Sequence, residues 1–143
     1  MHREYACAIL VDVFGRLLLQ QRDDIPGILQ PGKIALFGGH REHDETYLQC
    51  VVREVYEETS YFLPPERFEP LASHDGRDVD VEGGTAHGEF FVARDVPREK
   101  LVITEGTLLV ATPAQVASLE SRLSPSGKVG IKALLESGRL LAD

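Results

Sequence analysis

Three glutamates crowd one short segment. Glu54, Glu57 and Glu58 lie in REVYEETSY, residues 53–61. In a helix they fall within about one turn, and like charges three or four positions apart repel by a few tenths of a kcal/mol per pair. A counter-ion would remove that repulsion. Mg²⁺ fits best by chemistry, because this hard cation takes oxygen ligands from a few carboxylates, waters and substrate phosphates. A backbone carbonyl near Gly39 can add another oxygen, since glycine lets the chain approach closely. The spacing of residues 39–61, GHREHDETYLQCVVREVYEETSY, therefore reads as a loop followed by a helix that collects carboxylates.

The elements around this segment must hold it in place. Thr46 and Gln49 form a T-x-x-Q capping box, which sets a helix start. Leu48, Val51, Val52 and Val55 recur at i, i+3, i+4, i+7 and give one apolar stripe. The three glutamates fall on an arc away from that stripe, so the helix has a core face and an acidic face. Pro64-Pro65 ends the element. Upstream, YACAILVDV and LLLQQR read as a hairpin turning at Phe14-Gly15-Arg16. DDIPGILQPGK is a loop, and IALF is a short buried strand that Gly38-Gly39 is expected to stop. Downstream, EPLASHD and GEFFVARDV are two strands joined by the polar loop GRDVDVEGGTAH, expected to be mobile. LVITEGTLLVA holds a further short strand or two. Thr112 caps a helix with Pro113 in its first position. A last helix is predicted over 128–136, after the turn SPSGK and before Gly138. This order implies a sheet covered by helices.

The composition bounds the options. The 143 residues suit a single domain, 1–143, and 43% hydrophobic content suffices for a core. A formal net charge of −8 argues against duplex nucleic acid and anionic membrane, which need a basic surplus. Cys7 and Cys50 sit in apolar stretches without metal-ligand spacing and read as buried free thiols. No signal-peptide layout and no membrane-length apolar run is present, so a cytoplasmic protein is expected.

The segment 39–61 resembles the Nudix box, G-x5-E-x7-R-E-U-x-E-E-x-G-U, with U bulky and apolar. Gly39, Glu45, Arg53, Glu54, Val55, Glu57 and Glu58 fall on matching positions, whereas Ser60 replaces the final glycine. LFGGH resembles the strand and double glycine that lead into the box. The resemblance implies an α/β (α+β) fold, an α/β/α sandwich with a mixed central sheet. It implies that Glu57, Glu58 and the carbonyl of Gly39 bind metal, and that Glu54 is a ligand or the water-activating base. Arg53 would pair with Glu45 and orient the carboxylates. The cofactor implied is Mg²⁺, with Mn²⁺ as its substitute. The reaction implied is hydrolysis of a nucleoside diphosphate linked to another group, with a non-catalytic nucleotide-binding sensor as the alternative.

Some members of the family use a base outside the box, and Glu105 in TEGT is the candidate here, against a solvent-exposed turn residue. Arg22, at the end of the second strand, is a candidate phosphate ligand because a guanidinium offers a bidentate fork. Its rival role is pairing with Asp23 or Asp24. His40 and His43 read as exposed loop residues. Residues 78–89, DVDVEGGTAHGE, nearly match a calcium-loop pattern, but strand-like flanks oppose that reading. SHDGRDVDV lacks the proline and tyrosine that mark cleavage of ADP-ribose and of dinucleoside polyphosphates in the family. Nucleoside triphosphates and nucleotide sugars therefore remain the expected substrate classes. The expected partner is a small nucleotide-type diphosphate, with a homodimer left open. Ser60 should adopt a left-handed conformation at the helix end, at a cost of about 1 kcal/mol.

Overall fold

In the computed structural model, which describes residues 1–138, the long strand β1 (His2–Asp12) organises everything else. It is buried from Tyr5 onward because it carries apolar side chains on both faces. On one edge β1 pairs in parallel with β6 (Thr85–Val96), which pairs antiparallel with the edge strand β5 (Glu69–Arg77). Its other edge is divided. The C-terminal half pairs with β2 (Leu17–Gln21) through Leu10 and Val11, and the N-terminal half pairs with β4 (Phe37–His40) through Tyr5 to Ala8. Beyond β1, β2 pairs with β3 (Ile34–Ala35) and along its length with β7 (Thr107–Ala111). The sheet is mixed, as expected, and β2 and β4 diverge along one edge of β1.

Alternation along β1 assigns its side chains to two cores. Tyr5, Cys7, Ile9 and Val11 pack with Phe90, Val116, Ile131 and Leu134, so this layer lies under α2 (Pro113–Leu119) and α3 (Pro125–Ser137). Ala6, Ala8 and Leu10 pack with Val51, Val55, Phe91 and Phe37 under α1 (Tyr47–Thr59). Helices cover both faces of the sheet, which gives the sandwich anticipated from the sequence. Both cysteines are buried and free. No helix among the described residues is long and apolar enough to cross a membrane.

Helix α1 starts at the expected cap. The Thr46 hydroxyl accepts from the Gln49 N–H, and the Gln49 amide oxygen accepts from the Thr46 N–H at 2.8 Å. Thr112 and Gln115 repeat the arrangement in α2. Two expectations are corrected. Gly38 and Gly39 lie inside β4 rather than stopping a strand; IALF instead divides, with Ile34 and Ala35 in β3 and Phe37 in β4. SPSGK is the first turn of α3 rather than a turn before it, because Ser124 accepts from the Gly127 N–H and Pro125 takes the first helical position. LVITEGTLLVA holds one short strand, β7, within the one or two expected, and its first half bonds to the end of α1.

Candidate active site

A cleft of about 510 Å³ opens where β2 and β4 part from β1. Its lining includes Glu54 and Glu58 of α1, Gly38 and Gly39 of β4, Arg22 at the end of β2, and Glu105 before β7. Five of the sequence candidates, Gly39, Glu54, Glu58, Arg22 and Glu105, thus meet in one place. Glu45, Arg53 and Glu57 lie beside the cleft rather than on its wall.

The close approach of β4 to its neighbours explains its glycines. A Cβ on Gly38 would lie 2.3 Å from the Ala6 carbonyl oxygen, and one on Gly39 would lie 2.4 Å from a Glu54 carboxylate oxygen. Any side chain there would push β4 away from β1 or displace Glu54. The Gly38 N–H donates to Glu58 Oε1 at 2.9 Å.

Arg53 ties the loop to the helix. Its Nε and Nη2 donate to the two Glu45 oxygens at 2.6 and 2.9 Å, and Nη2 also donates to the His40 carbonyl at 2.9 Å. Arg53 holds the Glu45 carboxyl at about 2, far below the usual range. Its Nη1 donates to Glu54 and to Glu57, both at 3.1 Å. Glu57 therefore points along the outer helix face, toward Arg53.

The cleft carboxylates have far less compensation. Burial raises Glu58 to about 8, against one backbone donor, with the charges of Glu54 and Glu105 adding to the effect. Burial also raises Glu54, opposed by Arg53. Among the described residues, no three His, Cys, Asp or Glu side chains form a ready-made metal cage. The donor set still suits a hard divalent cation, being all oxygen, half-buried and short of positive charge. Substrate phosphates and waters commonly complete such a shell.

Glu105 is delivered by the end of α1. Val102 N–H donates to the Thr59 carbonyl at 2.8 Å, and Thr104 N–H donates to the Glu58 carbonyl at 3.0 Å. This segment satisfies helix-end carbonyls that would otherwise lack partners. Gly106 follows at φ 67°, so close to β2 that a Cβ would lie 2.3 Å from the Gln21 carbonyl oxygen. The buried Gln20 amide donates to the Glu105 carbonyl at 3.0 Å. Glu105 itself is exposed toward the cleft. Arg22 Nε donates to the Leu29 carbonyl at 2.8 Å and braces the 23–33 loop; the structure shows no ion pair between it and Asp23 or Asp24.

Sequence reasoning missed the opposite wall. Arg3 of β1 donates from Nε and Nη2 to the Asp78 carboxylate at 2.6 and 2.9 Å. Asp78 also accepts the Asp80 and Val81 N–H groups, which fixes the 78–84 loop. That loop is tied down by these bonds, contrary to the expectation of a mobile one. Gln30 donates to the Asp80 carbonyl at 2.9 Å and joins it to the 23–33 loop. The calcium reading fails, because strands flank the loop and Arg3 takes the Asp78 carboxylate. His40 and His43 are both exposed, as expected, but His40 ends β4 rather than lying in a loop; it lines the cleft and contacts Arg3 Nη1 at 3.1 Å. No sequence signal marks Arg3, because its partner lies 75 residues away.

A family profile described as NUDIX domain matches residues 1–121. No sequence among the curated proteins matches the chain. Solved structures do. The E. coli ORF135 protein aligns at TM-score 0.73 and 25% identity, covering 99% of this chain and 95% of that one. The NUDIX domain of Shewanella oneidensis NrtR, complexed with ADP ribose, aligns at 0.75 and 21%, covering 96% and 88%. A bifunctional NMN adenylyltransferase/ADP ribose pyrophosphatase from Francisella tularensis, complexed with AMP and a Mn ion, aligns at 0.71 and 24%, covering 96% of this chain but 42% of that one.

Proposed function

The chain belongs to the NUDIX domain family of hydrolases, and from that premise we propose that it hydrolyses the diphosphate linkage of a nucleoside triphosphate or nucleotide sugar with the aid of Mg²⁺, or Mn²⁺ in its place. The observation that carries the reading is the pair Glu54 and Glu58. Both are drawn into a cleft where burial raises their affinity for protons, and with it their need for a cation.

Glu54, Glu58 and the Gly39 carbonyl would hold the ion, and Glu57 would join by turning away from Arg53. Bound there, the cation neutralises phosphate oxygens and acidifies water. Arg22 binds a phosphate of the substrate through its guanidinium. Glu105 faces the cleft and takes the proton of the attacking water. The water oxygen bonds to one phosphorus, and the bridging P–O bond opposite it breaks. Two phosphorylated products leave. Arg53 and Glu45 touch no reacting atom in this scheme; they fix the helix against β4 and set the carboxylate positions.

The test is product release from a nucleotide panel with and without Mg²⁺, repeated with Glu57→Gln and Glu58→Gln. Metal-dependent cleavage by the parent and its loss in the variants is the expected result. Full activity in the variants would overturn the mechanism. Binding without cleavage by the parent on every substrate would leave the sensor reading.

A further inference from the structure

The buried polar side chains of the described residues mostly serve their own neighbourhood. Asp12 accepts the Phe14 and Arg16 N–H groups of its own turn. Thr59 bonds within the end of α1, and Ser124 caps α3. Asp78 takes Arg3 and fixes its own loop. Gln20 differs. It is 2% exposed and follows three leucines along β2. Alternation puts it on the α1 face with Leu18, and Leu108, opposite it on β7, packs into the same layer. An aliphatic side chain would suit this place without the cost of burying an amide. The Gln20 amide instead reaches a residue 85 positions away and donates to the Glu105 carbonyl at 3.0 Å.

That bond falls where the chain most needs it. Glu105 lies before β7, which starts at Thr107. On one side of it, the Thr104 N–H donates to the Glu58 carbonyl and the Thr104 hydroxyl to the Glu57 carbonyl at 2.9 Å. On the other side stands Gly106, a residue with wide conformational freedom. The main chain at Glu105 is thus gripped by α1 through Thr104 and by β2 through Gln20. Helix α1 carries Glu54 and Glu58, and β2 leads into Arg22. The Gln20 bond therefore sets Glu105 against both groups of cleft residues. The Glu105 side chain is exposed and takes its direction from this main chain. A base must stand within about 3 Å of the proton that it takes, and a misplacement of about 1 Å costs up to about 10²-fold in rate.

We propose that Gln20 is a positioning residue, whose buried amide holds the Glu105 carbonyl and so places the Glu105 carboxylate over the cleft. It touches no reacting atom and acts through Glu105. This rests on the proposed function, and the experiment separates the two. Parent, Gln20→Met, Glu105→Gln and the double variant are compared with Mg²⁺ on whichever of the four common nucleoside triphosphates and UDP-glucose the parent cleaves fastest. Methionine keeps the length of the side chain and removes its N–H donor. In Gln20→Met, kcat should fall about 5- to 50-fold, with KM and the Mg²⁺ concentration for half-activation within about twofold. In the Glu105→Gln background the same change should have no further effect on kcat, because the group it positions is already gone. A merely structural role would lower both backgrounds alike. The ¹⁵N order parameter of the Gly106 amide, which shares its peptide group with the Glu105 carbonyl, should stay near about 0.85 in the parent and fall in Gln20→Met. An unchanged kcat in Gln20→Met or in Glu105→Gln, an equal loss in both backgrounds, or an unchanged order parameter would overturn the assignment. A parent that cleaves nothing would defeat the proposed hydrolysis, and the order parameter would then decide alone whether Gln20 fixes Glu105.

Discussion

The two ends of the cleft handle negative charge in opposite ways. At the Arg3 end, Asp78 has a guanidinium and two backbone N–H groups, and the Arg3 hydrogen bonds hold its carboxyl below the usual range. At the α1 end, Glu58 is half-buried with one backbone donor, two acidic neighbours and only the more distant Arg22 opposing them, and it is raised to about 8. The first arrangement is complete in the free protein and serves the fold. The second is incomplete, and a cation or substrate would complete it. Charge that the protein itself compensates marks architecture, whereas charge that it leaves exposed to burial marks a site.

Substitutions can break this contrast. The largest expected effect is on activity: Glu58→Gln should lower kcat about 10²–10⁴-fold in a Mg²⁺ assay, without loss of thermal stability. Glu105→Gln should follow, with a loss of about 10²-fold or more if it takes the proton, read from single-turnover rates. An unchanged rate would return that role to Glu54.

Asp78→Asn should act on the fold instead. It strands the nearly buried Arg3 and should cost about 3 kcal/mol, measured by denaturant unfolding. Asp78 is depressed, so its contribution exists above its unfolded value near 3.9 and is lost as pH falls through the lower native one. Acid unfolding of the parent should therefore steepen below pH 4 more than that of Asp78→Asn. The metal-free site predicts the reverse trend. Glu58 binds its proton more tightly folded than unfolded, so stability should decline as pH rises from about 4.5 to about 8. The Glu58→Gln curve should be flatter over that window, and saturating Mg²⁺ should flatten the parent's.

The smallest effect is expected at Ser60. It occupies the left-handed region at φ 61°, as anticipated, and its hydroxyl donates to the Val102 carbonyl at 3.1 Å. Ser60→Gly relieves backbone strain but loses that bond. Stability should change by less than about 0.5 kcal/mol and turnover not at all, checked by melting and kinetics.

Local signals carried far. The capping boxes at Thr46 and Thr112 act over three residues, and the apolar stripe of α1 acts over two turns, so both were legible in the sequence. The Arg53–Glu45 pairing followed from the family motif and is present at hydrogen-bond distance. In IALF the local signal misleads: Gly38 and Gly39 suit a stop by propensity, while their actual constraint is a neighbouring strand and a helix carboxylate. The start of α3 is ambiguous in the sequence, because SPSG reads equally as a turn and as a capped first turn.

The sequence by itself determined the acidic face of α1, the strands that flank it and the family, because those depend on spacing within a few tens of residues. Only the tertiary structure decided which carboxylates are compensated. It turns Glu57 toward Arg53, seats Glu58 on the Gly38 N–H, brings Glu105 in along the last carbonyls of α1 and commits Arg3 to Asp78. Burial and hydrogen bonding set the state of a charge, and both depend on partners brought together by the parallel pairing of β1 with β6 and the divided edge of β1.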